Sequence, residues 1–431
     1  MLEMGCTQDM TQEFQTLMRL VGAGSLGTRA TSVPDNIDWN MLEKLAHDHG
    51  VQPLVGYALR LSPDLACPED VRKRMIADMR QTAFSNNAWK NATLQLISGM
   101  RKAGIPVLLI KGYSLASCYA APDCRLSGDT DLLISPEYEK QAYKYMESKG
   151  FHVKPRWQHW HHAVCEHPVI GCVELHVQLY DEFVEDIWFK KVVGKKFVCE
   201  EPVTVQVDGY EYATLAPTDH LLFLILHLIK HFIMAGMSLR MLLDVVLFWV
   251  KNAAQIDAER VWSTIDALGF RKIVQSIFGA VIQYSDLNPE MLPGYRQPDE
   301  QDIELLLDDL EKGGWLGSND KQAREESGNE YNRLMITREK GKLAYYLNTI
   351  YLKVSRVAFA LFPPYKVLAK QYPYLQKQPL LMPLAWGQYV VYRLKQAAQR
   401  KFLTRGIAKD EASMSNAGAE RIELFKKFGM M

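Results

Sequence analysis

The sequence predicts an α+β fold, and three observations predict it. Residues 104–215 form a series of short apolar or alternating runs punctuated by Gly and Pro, as strands do. The segments before and after carry apolar residues at helical spacing instead. Composition supplies the bulk: of 431 residues, 48% are hydrophobic and 23% charged, which suits two or three domains with real cores.

Taken in order, IDWNMLEKLAHDHGVQPLVGYAL reads as helix broken at Gly50, and 69–103 as a polar helix rich in Ala, Gln, Lys and Arg. GIPVLLIKG is a buried strand ending in a turn, YSLASCYA a short helix, and RLSGDTDLLI (125–134) a second strand. PEYEKQAYKYMESKG opens on Pro136, runs amphipathically and stops at Gly150, so it is a helix. HHAVCEH and CVELHVQL alternate like strands, and VTVQVDGYEYATL is a hairpin turning at Asp208-Gly209. From Pro217-Thr218-Asp219 onward helices dominate, with 316–332 read as an exposed polar loop. The expected organisation is a helical N-terminal segment (1–103), an α/β core (104–215), a helical bundle (216–315), a basic helical C-terminal region (316–405) and a loose tail (406–431).

Lys plus Arg and Asp plus Glu balance at 50 each, so net charge points to no partner. Distribution says more, because 340–409 has thirteen basic residues and no acidic one. Mixed with aromatics and Leu, that stretch reads as a helical domain packed on the acidic remainder, as a surface for anionic membrane through 340–405, or as a contact for RNA or polyphosphate. The seven cysteines are scattered and form no CxxC, which suits reduced thiols, a cytoplasmic setting and no disulfide-linked partner. The N-terminus lacks the basic-then-apolar pattern of a signal peptide. The most apolar stretch, 221–250, is interrupted by His227, Lys230, His231, Arg240 and Asp244, and is expected to be two buried helices.

Chemistry concentrates in RLSGDTDLLI. Alternation puts Asp129 and Asp131 on one strand face and Thr130 on the other. Carboxylates so close raise each other's pKa unless a cation lies between them, and hard oxygen donors suit Mg²⁺ or Mn²⁺. Glu174 shares a strand face with His176. If that strand pairs near the first, Glu174 completes a three-carboxylate holder for divalent ions, as in-line phosphoryl transfer uses. Asp129, Asp131 and Glu174 are thus the candidate catalytic and metal-binding residues.

Upstream, Lys111-Gly112 ends a strand where a helix opens with Tyr113-Ser114. Close backbone approach, helix N–H groups and a positive charge there suit phosphate. Arg125, with forked donors, and Gly128 join Lys111, Gly112 and Ser114 as nucleotide-binding candidates. His176, His227, Lys230 and His231 are candidates for substrate contact. For the helical pair His227 and His231, an internal network with Arg240 and Asp244 is an equal alternative. His152, His159, His161, His162, His167 and His176 cluster near Cys165 and Cys172, but in no standard zinc spacing. They read as strand-face and loop residues, one or two of them near the cleft.

These motifs together resemble the DNA polymerase beta-like nucleotidyltransferase superfamily, and within it the bacterial proteins called nucleotidyltransferase family proteins. Lys111-Gly112, Arg125, Asp129, Asp131, Glu174 and His176 match that group's Lys-Gly turn, Arg before Asp-x-Asp, and later Glu-Leu-His strand. The likeness runs from IDWNMLEKLA through PTDHLLFLILHLIKH to FPPYKVL and PLLMPLAW. It implies a mixed sheet core with helices that binds a nucleoside triphosphate and Mg²⁺ (or Mn²⁺), with Asp129 and Asp131 on metal and Glu174 as third ligand or base. The wider superfamily has Gly-Ser at the first turn, where this chain has Lys111-Gly112-Tyr113-Ser114. The expected function is transfer of a nucleoside monophosphate to a hydroxyl-bearing acceptor (small molecule, sugar, protein or RNA) with release of pyrophosphate. The altered turn motivates the alternative, a nucleotide- or metal-binding or membrane-associated interaction module without turnover.

Overall fold

The strand signals of 104–215 resolve into one mixed sheet. Its strands are β1 (Leu108–Leu109), β2 (Asp129–Leu133), β3 (His152–Lys154), β4 (His162–His167), β5 (Gly171–His176), β6 (Val203–Val207) and β7 (Tyr210–Thr214), in the order β3-β4-β5-β2-β1-β7-β6. The computed structural model describes residues 10–156, 161–168, 170–179, 201–313, 319–341, parts of 362–403, and 415–431. His159 and residues 342–361 of the basic stretch therefore lie outside the described residues.

β2 is central. It runs antiparallel to β1 and parallel to β5, with Asp131 opposite Glu174 and Leu133 opposite His176. β4 then pairs antiparallel with β5, setting His162 opposite His176. The β6–β7 hairpin turns where sequence placed it: Asp208 at φ 49° and Gly209 at φ 79° are both left-handed, as a two-residue type I′ turn requires.

Alternation gives the sheet two unlike faces. One carries Leu132, Val173, Leu175 and Ala163 into a core shared with Leu94, Ile97 and Met100 of α4 (Glu69–Lys102) and Met146 of α6 (Glu139–Ser148). Before α4 come α1 (Gln12–Leu26), α2 (Trp39–Asp48) and α3 (Gln52–Leu61), and between β1 and β2 lies the single turn α5 (Tyr113–Ala116). The opposite face presents Asp129, Asp131, Glu174 and His176.

The apolar stretch at 221–250 forms α7 (Pro217–Met234) and α8 (Leu239–Asn252), with Pro217 in the first turn of α7. Both are buried nearly all round, the pattern of core helices. Among the described residues no helix is long and apolar enough to cross a membrane. α9 (Ala258–Leu268), α10 (Arg271–Gln283) and α11 (Glu300–Gly313) complete the bundle, joined by Trp249, Trp262 and Phe278, whose ring centroids lie 5.5–5.8 Å apart.

Two expectations about the C-terminal half need correction. Much of the 316–332 loop is helix, the start of α12 (Lys321–Lys340), with Ala323, Arg324, Ser327 and Tyr331 buried. The loose tail ends in a docked helix, α15 (Asn416–Lys427), with Arg421, Ile422 and Phe425 buried. The physical reason is one buried carboxylate: Asp309 accepts from both Arg324 and Arg421, while Arg421 also donates to the Phe232 carbonyl and lies 5.4 and 5.3 Å from the Phe232 and Phe425 rings. Arg324, one of the polar residues that suggested a loop, is thus an ion-paired core residue.

Residues 332–415 form a second compact unit, and 1–331 with 416–431 the first. Within the second unit, α13 (Tyr374–Lys377) and α14 (Met382–Leu403) surround a small core of Leu368, Leu375 and Ala385 edged by Tyr365, Tyr372 and Trp386. Trp386 Nε1 donates to the Pro363 carbonyl at 2.9 Å.

Candidate active site

The polar sheet face gathers the predicted carboxylates. Asp131 sits deepest, 1% exposed, while the Asp129 and Glu174 side chains, at 34% and 26%, form the open rim. Lys111 Nζ lies 3.0 Å from Asp131 Oδ2 and 3.9 Å from Asp129 Oδ2. His176 Nε2–H donates to Asp131 Oδ1 at 2.9 Å and lies 3.5 Å from Glu174 Oε2. Register does this: parallel pairing sets Asp131 beside Glu174, and β1 brings the Ile110 N–H to the Asp131 carbonyl, leaving Lys111 at the strand end.

The charges respond to one another. Burial alone would raise the Asp131 pKa, but Lys111 and the His176 hydrogen bond outweigh it and hold the carboxyl well below its usual range. Asp129 behaves oppositely. Lys111 pulls it down, yet burial and the neighbouring charges of Asp131 and Glu174 leave it raised. Burial opposes the charged forms of Lys111 and His176, but their acidic neighbours raise both.

The turn beside the site is built on Gly112, whose φ of 75° and ψ of −122° no side-chain-bearing residue adopts without strain. Ser114 is buried, and its hydroxyl has no hydrogen-bond partner among the described residues. Gly128 is exposed immediately before Asp129. The helix expected to offer its N-terminus to phosphate is only the one turn of α5, too short to sum an appreciable dipole.

Arg125 is not brought into the group. Its side chain is 1% exposed and grips Asp244 of α8 with both arms of the fork, Nε to Oδ1 at 2.6 Å and Nη2 to Oδ2 at 2.7 Å. Its Nη1 donates to the Gly112 carbonyl at 3.3 Å. Tyr119 donates to Asp244 Oδ1 at 2.7 Å, and Arg240 Nη1 to the Leu126 carbonyl at 2.8 Å. Arg125 therefore braces the loop that carries the phosphate turn. Asp244 pairs with Arg125 and not, as one reading of the sequence had it, with the histidines of α7. A buried carboxylate in an apolar helix does demand a cation, but its partner lies 119 residues away, with no local signal to name it.

His227 and His231 are half-buried and meet each other, Nε2 to Nε2 at 3.0 Å. Burial lowers both pKa values, that of His231 to about 3, with Lys111 next in effect on each. Sequence reasoning read His161 and His162 as strand-face or loop residues, with one or two of the clustered histidines near the cleft. Here His162 lies 3.7 Å from Glu174 Oε2, and both rings stack about His176.

The family described as "Uncharacterised nucleotidyltransferase" matches residues 35–283, more than half the chain. No curated protein matches. Among solved structures, the chain is similar to an antigenic nucleotidyltransferase-like protein from Paracoccidioides brasiliensis, at 15% identity over 45% of this chain and 93% of that one, with a TM-score of 0.29.

Proposed function

The chain belongs to the uncharacterised nucleotidyltransferase family, and from that membership we propose that it transfers a nucleoside monophosphate from a triphosphate to a hydroxyl-bearing acceptor, releasing pyrophosphate. The observation that carries the reading is the acidic face of β2 and β5: parallel register sets Asp131 beside Glu174, with ligand atoms of Asp131, Glu174 and His176 within 4.8 Å of one another, and Asp129 on the same face shares Lys111 with Asp131. Of the three carboxylates only Asp131 is fully buried, and it is held by Lys111 and His176; Asp129 and Glu174 stand partly exposed beside it, where their like charges favour a further cation.

The donor set fits a divalent cation. Hard oxygens from Asp129, Asp131 and Glu174 suit Mg²⁺ or Mn²⁺, and the raised pKa of Asp129 marks a carboxylate short of positive charge. Bound there, the cation would offset charge on the triphosphate and make the acceptor hydroxyl more acidic. The chain's own residues do the rest. Asp131, ionised and fixed by two donors, is the immobile floor; Asp129 and Glu174 at the rim meet the incoming reactants. Lys111 is the cation nearest the carboxylates and can balance phosphate charge. Gly112 allows the backbone close approach, and the unpartnered Ser114 hydroxyl beside it offers a donor. Arg125 acts at one remove, holding the Gly112 carbonyl. His227, Lys230 and His231 on α7 are the side chains we assign to substrate contact.

A thermal-shift screen of the four nucleoside triphosphates, each with and without Mg²⁺, tests this. One triphosphate should raise Tm only with Mg²⁺, and Asp129→Asn should abolish the rise. Absence of any shift would favour the interaction-module alternative. For the second unit we propose contact with anionic membrane: Leu380 (94% exposed), Leu384 (54%) and Val391 (51%) stand out of an acid-free, basic stretch. Salt-sensitive sedimentation with anionic liposomes is expected, and none at low salt would end the idea.

A further inference from the structure

We infer that His161, His162 and His176 form a binding site for a first-row transition-metal dication of the zinc class, separate from the carboxylate set and joined to it through His176. These histidines cluster along the chain, but 161, 162 and 176 fit no standard ligand spacing. Strand register makes the site: His162 opens β4 opposite His176, the last residue of β5, and His161 precedes it. The three ring centroids lie 4.5, 4.9 and 5.0 Å apart, and each ring places one nitrogen within 4.8 Å of the others'. Nitrogens about one Zn²⁺ stand roughly 3.4 Å apart, as bonds of about 2.1 Å in a tetrahedron require, so small side-chain rotations close the site.

Two features point to a ligand beyond mere proximity. His176 is 2% exposed and donates Nε2–H to Asp131, which leaves Nδ1 buried without a hydrogen-bond partner among the described residues. A carboxylate that fixes one nitrogen of an imidazole and thereby orients the other is the arrangement that supports metal-bound histidine. Moreover, His162 Nδ1 and His161 Nε2 lie at hydrogen-bond distance, 3.2 Å, and His161 is 7% exposed. Imidazole donors favour Zn²⁺, Co²⁺ or Ni²⁺ over Mg²⁺, which prefers oxygen. Three histidines also leave a fourth position open, as catalytic zinc sites do.

The test uses the full chain, stripped with a chelator and then dialysed against Zn²⁺ in excess Mg²⁺, with bound metal counted by mass spectrometry. One equivalent of zinc should remain. His161→Gln and His162→Gln should each weaken zinc binding at least tenfold, while preserving any Mg²⁺-dependent triphosphate shift. Asp129→Asn should lose that shift and keep the zinc, so failure of this site and failure of the nucleotidyl-transfer reading are told apart. X-ray absorption at the zinc edge of the unmutated protein needs no variant to fold: three imidazoles are expected. No retained zinc, undiminished retention in both histidine variants, or fewer than three imidazoles would each overturn the inference.

Discussion

Two buried carboxylates meet their cations in different ways. Asp244 is closed: the Arg125 fork spans both oxygens at 2.6 and 2.7 Å, Tyr119 adds a third donor, and the side chains are 1% and 8% exposed. Asp131 is as deeply buried, but its main cation is the point charge of Lys111, shared with Asp129 on the open rim. An arginine fork saturates a carboxylate in fixed geometry, whereas a lysine ammonium on a flexible stem leaves lone pairs and can move away. The same ionic chemistry thus makes a strut at one place and an exchangeable arrangement at the other. Asp309, gripped by Arg324 and Arg421, is a second strut.

The largest effect should come from breaking the strut. Asp244→Ala leaves Arg125 buried and uncompensated, and should cost about 3–5 kcal/mol in urea unfolding followed on the first unit. The double variant Asp244→Leu with Arg125→Met should recover most of that. A single-variant loss under about 1 kcal/mol would remove the distinction drawn here.

A group buried with no ion partner sharpens the contrast. His49 is 0% exposed, packs at 5.3 Å from the Phe14 ring, and has no hydrogen-bond partner for either nitrogen among the described residues. Burial lowers its pKa to about 4. The unfolded chain takes up that proton near pH 6.5 and the folded chain only near 4, so stability falls as pH drops across this window. The loss is roughly 3 kcal/mol at most. His220, likewise lowered to about 4 by burial, adds to it. His49→Leu should flatten the acid limb of a stability–pH curve; an unchanged limb would show that His49 does not contribute.

The smallest stability effect is expected at the exchangeable end. Asp129 is partly exposed, and against the pull of Lys111 its pKa is raised by burial and then by like charges, so Asp129→Asn should change unfolding stability by less than about 1 kcal/mol while removing Mg²⁺-dependent triphosphate binding. Destabilisation on the scale of Asp244→Ala would instead make Asp129 a structural residue.

Much of the fold was readable along the chain because its signals are local. The helix from 69, the break at Gly50, the Asp208-Gly209 hairpin and the paired apolar helices at 221–250 all depend on neighbours within a turn or two. The misreadings share one cause. Arg125 looked like an anion-binding arginine, 321–331 like a loop and 416–427 like a tail because each is polar, yet in each one arginine turns inward to an aspartate outside its own segment.

By itself the sequence determined which residues share a face: Asp129 with Asp131, and Glu174 with His176, since strand period is a property of a few consecutive residues. Only the tertiary structure decided that β2 and β5 lie parallel in the register that joins those faces, that β4 delivers His161 and His162 to His176, and that Arg125 turns inward to Asp244. Register and ion pairing are settled by packing between segments distant in the chain, where burial of the whole face, and not the preference of any one residue, sets the energy.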